Sequence, residues 1–312
     1  MRWCVSIGAL LVAGAIAAGD VAGIAAPDSS SQLTDAKDNL SSVDIELAIA
    51  VDVSYSMDLD ELAVQREGYA QAIVSKDFLQ AIRTGPHSKV AVTYFEWSAS
   101  SDQKTVIPWR VIDGPESADA VAAEIMKTPV RRGSRTSISG AIYFAMPLFE
   151  ENPYHGLRRV IDISGDGPNN NGAPVTDARD AALQKGITIN GLPIMVKEPS
   201  YSTMDIDNLD LYYEDCVIGG SGSFVVAIKD RDKFKEAIRS KLILEVASRT
   251  PEHRIVPVIE KDPRVPLSGG RENVAGPLGA VSVNCILFNN TGRFPSGPRC
   301  PFMALLRSAG GL

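Results

Sequence analysis

Five oxygen-bearing side chains stand where they could be brought to one ion. Asp52, Ser54 and Ser56 alternate in Asp52-Val53-Ser54-Tyr55-Ser56, directly after an apolar run. Thr136 follows the basic, glycine-containing loop Arg131-Arg132-Gly133-Ser134-Arg135, and Asp166 opens an Asp166-Gly167 pair after a second apolar run. Three oxygens at alternate positions of one loop can converge on a point. A carboxylate with two hydroxyls is hard-oxygen chemistry, suited to Mg²⁺ or Mn²⁺ and poorly suited to zinc, and it leaves positions for water or an incoming carboxylate. Asp and Ser are also ordinary helix-cap and turn residues. The triplet gains its weight from Thr136 and Asp166 in two further loops.

Elements must exist to carry these loops. Residues 44–53 read as a nearly continuous apolar strand of the kind buried on both faces of a parallel sheet. Further strands are expected at 89–97, 105–109, 158–164, 187–195 and 223–228, and helices at 58–83, 116–126, 136–149, 177–185, 205–215 and 230–247. Asp58-x-x-Glu61 has the spacing of a capping box, and Gly85-Pro86 stops the helix that follows it. This alternation predicts a three-layer, doubly wound α/β domain: a mostly parallel six-stranded sheet with helices on both faces. In such sheets ligands bind at the carboxyl ends of strands beside the topological switch point, where the Asp52 and Asp166 loops fall.

The same three loops, in the same chain order, are those of a metal-ion-dependent adhesion site, and residues 43–249 resemble the von Willebrand factor type A fold. Longer motifs resemble an uncharacterised bacterial family of type A-like proteins: Gln65-Arg-Glu-Gly-Tyr69, Glu96-Trp97, Asp162-Ile-Ser-Gly-Asp-Gly167 with Asn169-Asn170, Asn190-Gly-Leu-Pro193, and Tyr212-Tyr213 through Val217-Ile-Gly-Gly220. The type A pattern implies Ser54 and Ser56 as direct ligands of Mg²⁺ or Mn²⁺, Thr136 bound directly or through water, and Asp52 and Asp166 close around them. It further implies a protein ligand whose Asp or Glu carboxylate completes the coordination. Type A domains place a hydroxyl residue directly before Asp-Gly, whereas here Gly165 separates Ser164 from Asp166, and Asp162 lies on the same strand parity as a substitute. Asn169, Asn170 and Arg135 are candidates for the partner-binding rim, although Asn is first a turn former. Trp97 and Trp109 read as packing residues.

Composition narrows the alternatives. With 45% hydrophobic and 22% charged residues the chain is globular, and a net charge of −7 without a basic block excludes a nucleic-acid partner held by bulk charge. Arg2 followed by the apolar run Cys4–Ala18 and the small residues Ala15-Ile16-Ala17 reads as a signal peptide over 1–17, too short for a spanning helix of ~20 residues. A single N-terminal anchor is the competing reading. Residues 18–42 then form a polar linker and 250–312 an irregular Pro/Gly-rich tail, in a periplasmic or secreted protein with no membrane span after cleavage. Cleavage removes Cys4, so Cys216, Cys285 and Cys300 allow one disulfide of open pairing. No nucleophile and base stand at a recognisable spacing, so the reading is a binding module and not an enzyme. Two alternatives remain: a structural or assembly subunit with a non-functional metal site, and a metal-assisted hydrolase with Asp162 or Glu96 as its base.

Overall fold

The apolar run that ends at Asp52 forms β1 (Ser42–Asp52), the middle of five strands, in a computed structural model that describes residues 42–196, 206–247 and Cys285. Ile45, Leu47, Ile49 and Val51 enter one apolar cluster, and Ala48 and Ala50 enter another on the opposite face. A strand covered on both sides needs apolar residues at nearly every position, so its sequence shows no period of two. β1 pairs in parallel with β2 (Val90–Trp97) and β4 (His155–Gly165), and β4 pairs in parallel with β5 (Ile187–Pro193). β3 (Gln103–Ile112) lies antiparallel on the β2 edge, giving the order β3-β2-β1-β4-β5. It is twice the expected length, and its exposed positions include Lys104 and Arg110, charges that suit an edge strand.

The expected sixth strand is not a full strand. Residues 223–228 make only isolated parallel bridges to the β5 edge, at Gly191 with Val225 and at Ile194 with Ile228. Pro193, between them, has no N–H to continue the ladder, although its carbonyl accepts from Ile228 N–H at 2.9 Å.

The helix expected over 58–83 is two helices, α1 (Leu59–Ile73) and α2 (Lys76–Arg83). The break falls where Ser75 turns extended and caps α2 by accepting from Phe78 N–H. With α3 (Pro115–Lys127) and α7 (Phe234–Val246) they cover the Ile45–Val51 face. The other face is covered by α4 (Ile138–Leu148), α5 (Val175–Gln184), and α6 (Leu209–Tyr212) with its continuation, a π-helical turn over Tyr213–Val217. Each fully buried Ile, Leu or Phe in these layers contributes about 1.5–3 kcal/mol of transfer free energy. β1 leads to α1 on one face, and its neighbour β4 leads to α5 on the other, so the switch point lies between them.

A disulfide joins Cys216, in the π-helical turn, to Cys285, with 5.6 Å between the Cα atoms. The segments read as signal peptide and linker, up to residue 41, lie outside the described residues, as does the tail apart from Cys285. No helix among the described residues is long and apolar enough to cross a membrane.

Candidate metal centre

Past Asp52 the chain folds back on itself. Ser54 N–H donates to Asp52 Oδ1 at 2.7 Å, and Met57 N–H donates to Ser54 O at 3.2 Å. Asp58 then caps α1 through the expected box: Glu61 N–H donates to Asp58 Oδ1, and Asp58 N–H donates to Glu61 Oε2. Such a cap contributes about 1 kcal/mol and fixes where the turn ends. The turn sets Ser54 Oγ 2.8 Å from Ser56 Oγ, and Ser56 Oγ donates to Asp166 Oδ1 at 2.6 Å. Gly165 therefore does not hold Asp166 away from the first loop.

The second loop is laid against the first by backbone hydrogen bonds. Gly133 N–H donates to Val53 O at 2.8 Å, and Ser137 N–H donates to Ser98 O at 2.8 Å. Gly133 is needed there, because a Cβ would stand 2.0 Å from Ser98 Oγ. Thr136 lies just before α4 and does not open it, since Ser137 is the cap residue, accepting from Gly140 N–H. Thr136 and Asn170 are tied reciprocally: Asn170 N–H donates to Thr136 O at 2.8 Å, and Thr136 N–H donates to Asn170 Oδ1 at 2.9 Å. The Thr136 hydroxyl stands 4.0 Å from where a Cβ on Gly167 would lie, beside the Asp166 loop.

Asp52 is fully buried, and its Oδ2 has no hydrogen-bond partner among the described residues. Burial and the nearby Asp166 carboxylate push its pKa well above the usual carboxylate range, against hydrogen bonding from Ser54. A buried carboxylate whose ionisation a neighbouring carboxylate opposes, with an orphan oxygen and serine hydroxyls beside both, fits a hard divalent cation. The described residues contain no group of three His, Cys, Asp or Glu side chains that could hold a metal ion, so hydroxyls would supply part of any coordination here.

Of the three residues expected at the rim, one lies inside the loops. Asn169 is buried: its Oδ1 accepts from Ser139 N–H at 3.0 Å, and its Nδ2 donates to Ala173 O at 3.0 Å. With Asn170 it holds loops together, which withdraws its amide from the surface. Arg135 is exposed and adopts φ 68°. Tyr55, between the two serines and 61% exposed, was not picked out by the sequence, where nothing distinguishes it from a turn residue. Arg132 lies over its ring at 5.1 Å and donates to its carbonyl at 2.5 Å.

Arg131 does not extend into solvent as a loop arginine ordinarily does. It bonds Glu96 at 3.1 Å and Asp102 at 2.9 Å, and Glu96 also pairs with Arg66 of α1. Asp162 does not substitute for Asp166, because it points into the helix layer and lies 2.6 Å from Lys241 Nζ. Trp97 is fully buried, and half-buried Trp109 donates to Leu148 O. The only sequence trace of this wiring is the Gln65-Arg66 and Glu96-Trp97 motifs.

Strand order, antiparallel edge, helices on both faces and the three oxygen-bearing loops at one end of the sheet make a three-layer α/β domain with a mostly parallel sheet, the architecture that the von Willebrand factor type A resemblance implies. The chain belongs to the family described as "Protein of unknown function (DUF1194)", which it matches over residues 42–250. No curated protein matches it. Among solved structures it is similar to proximal thread matrix protein 1 from the mussel byssus, at 15% identity and TM-score 0.49, over 66% of this chain and 48% of that one. The chain thus spans about half the length of that relative. A second structure of the byssus protein, with a zinc-occupied MIDAS motif, matches at 14% identity and TM-score 0.45, over 65% and 46%. A von Willebrand factor type A structure from Catenulispora acidiphila matches at 17% identity and TM-score 0.44, over 65% and 42%.

Proposed function

We propose that this is an exported, divalent-cation-dependent protein-binding module. Ser54, Ser56 and Thr136, with Asp52 and Asp166, would hold Mg²⁺ or Mn²⁺, and an Asp or Glu carboxylate of a protein partner would complete the coordination. The observation that carries this reading is the chain of short contacts from Ser54 through Ser56 to Asp166, above a buried Asp52 with an orphan oxygen. The cation supplies a strong, localised positive charge for the partner's carboxylate. Tyr55, Arg132 and Arg135 surround that point with an aromatic face and two cations, in a chain that is otherwise net acidic, and steer an acidic partner toward it.

Binding is favoured over hydrolysis by what the two candidate bases are doing. Glu96 is held between Arg66 and Arg131, and Asp162 is paired with Lys241 inside the helix layer. Neither is placed to take a proton from a water at the rim. The test is thermal melting of wild type, Asp52→Ala and Ser54→Ala with excess Mg²⁺ and with EDTA, followed by capture from the native cell envelope under both conditions. Wild type should gain stability with the cation, and the variants should not. Equal wild-type melting temperatures, or capture that survives EDTA, would overturn the reading.

A further inference from the structure

Beneath the metal loops a second orphan oxygen lies close to that of Asp52. Tyr213 is fully buried, and its hydroxyl has no hydrogen-bond partner among the described residues. It begins the π-helical turn Tyr213–Val217, an irregularity often found at functional sites. Its ring crosses the sheet over two glycines: a Cβ on Gly191 of β5 would stand 2.7 Å from Tyr213 Cδ1, and one on Gly165 of β4 would stand 2.8 Å from the hydroxyl. That same point on Gly165 is 3.0 Å from Asp52 Oδ2. The phenol and the unpartnered carboxylate oxygen therefore flank one small space, kept free because residue 165 has no side chain.

Resting on the proposed metal site, we infer that Tyr213 is a positioning residue for it: its hydroxyl donates to Asp52 Oδ2, directly or through one water, and holds the carboxylate oriented for the cation. A buried carboxylate needs a donor for each oxygen. Asp52 Oδ1 has the Ser54 amide, the Ser54 hydroxyl and the Asp166 N–H also lie by the carboxylate, and the phenol shares the space beside Oδ2. A neutral donor suits this place, since a lysine or arginine would neutralise Asp52 and repel the incoming ion. Tyr213 thus brings to position 165 a hydroxyl that the chain does not carry there, which accounts for the glycine between Ser164 and Asp166.

The test is isothermal titration of the full chain with Mg²⁺ and with Mn²⁺, alongside melting in EDTA, for wild type, Tyr213→Phe, Gly165→Ser and the double variant. Tyr213→Phe removes one hydroxyl and keeps the ring packing, so it should fold, and its melting in EDTA reads the structural cost of the lost hydrogen bond separately from cation affinity. Its cation affinity should fall about 10- to 100-fold, the usual effect of losing a partner of a metal-ligating carboxylate. Gly165→Ser alone should also bind weakly, because its side chain collides with the phenol. In the double variant the serine hydroxyl has room to replace the lost one, and affinity should recover. Wild-type affinity in Tyr213→Phe, or a double variant no better than Gly165→Ser, overturns the inference while leaving the metal site standing. No cation binding by wild type overturns both.

Discussion

Ser56 Oγ and Asp166 Oδ1 meet at 2.6 Å although 110 positions separate them in the chain. That contact closes the site, and it also brings the Asp166 charge near the buried Asp52, whose ionisation it opposes. Without a cation the pair is a liability. Asp166→Asn should therefore raise the melting temperature in EDTA while abolishing stabilisation by Mg²⁺. Wild type at a cation concentration of 100 times Kd should gain about 2.7 kcal/mol. Differential scanning calorimetry with and without cation reads both effects, and an Asp166→Asn protein that keeps the Mg²⁺ shift would show that Asp166 is not part of the site.

Glu96 connects the core to the second loop of the candidate site. Its carboxylate is 1% exposed and takes Arg66 on one side and Arg131 on the other, and Arg131 reaches on to Asp102 in the β2–β3 turn. Arg66→Met should leave that buried charge half-neutralised and cost about 3–5 kcal/mol. Arg131→Ala, at a partly exposed group, should cost only about 1–3 kcal/mol. It should nonetheless weaken Mg²⁺ binding, because the Gly133–Thr136 segment loses its side-chain anchor. Urea unfolding and cation titration separate the two effects. Unchanged affinity in Arg131→Ala would mean that the backbone hydrogen bonds of Gly133 and Ser137 hold the loop unaided.

Lys241 faces two carboxylates, Asp162 and Glu245, and all three side chains are fully buried on the α7 side of the sheet near Tyr69. Burial pulls the lysine down, but both carboxylates outweigh it and hold its pKa above the ordinary value. Burial raises Asp162 despite Lys241, and it raises Glu245 with Asp162 adding to the effect. A raised carboxylate pKa means that the folded state binds the proton more tightly, so stability is lost as pH climbs through the folded values. The lysine contributes fully below its unfolded pKa of about 10.4 and loses that contribution only as pH rises through its higher folded value. Stability in EDTA should therefore decline from weakly acid toward neutral pH. Asp162→Asn leaves one cation for one anion and should flatten that decline, whereas Lys241→Met should cost about 3–5 kcal/mol. Equal pH slopes in wild type and Asp162→Asn would show that the triad does not titrate as described.

The parts of this molecule that were legible in the sequence are those with a local signature. Continuous apolar runs marked β1 and β4, the Asp58-x-x-Glu61 spacing marked the start of α1, and the Asp-x-Ser-x-Ser, Thr and Asp-Gly segments marked the loops that meet. What was missed depends on partners distant in the chain. Nothing near Asp162 announces Lys241, and nothing near Gly165 announces that the Tyr213 hydroxyl fills the space beside it. Residues 223–228 have a strand composition, yet Pro193 on the neighbouring strand limits them to isolated bridges. The break between α1 and α2 was signalled only by Ser75, a residue as common within helices as at their caps.

Arg135 combines two features that can be separated experimentally. It is exposed beside the candidate metal loops, and its φ of 68° is in the left-handed region that a side chain with a Cβ adopts at a cost of about 1–3 kcal/mol. Its place immediately before Thr136 explains why the conformation persists: Gly133 and Thr136 are both fixed by hydrogen bonds, and the chain must turn between them. Glycine tolerates this geometry but is more flexible when unfolded, so Arg135→Gly should gain about 1 kcal/mol or less in EDTA. Asn, which also visits this region, should behave similarly, and Lys should leave stability near wild type. For capture of an acidic partner the order should be different. Gly and Asn both remove a rim cation and should slow association, most visibly at low salt, while Lys keeps it. Thermal melting in EDTA and association rates at two ionic strengths decide the matter. If Arg135→Gly is less stable than wild type, the guanidinium is bound into the loop and is not a free contact for a partner.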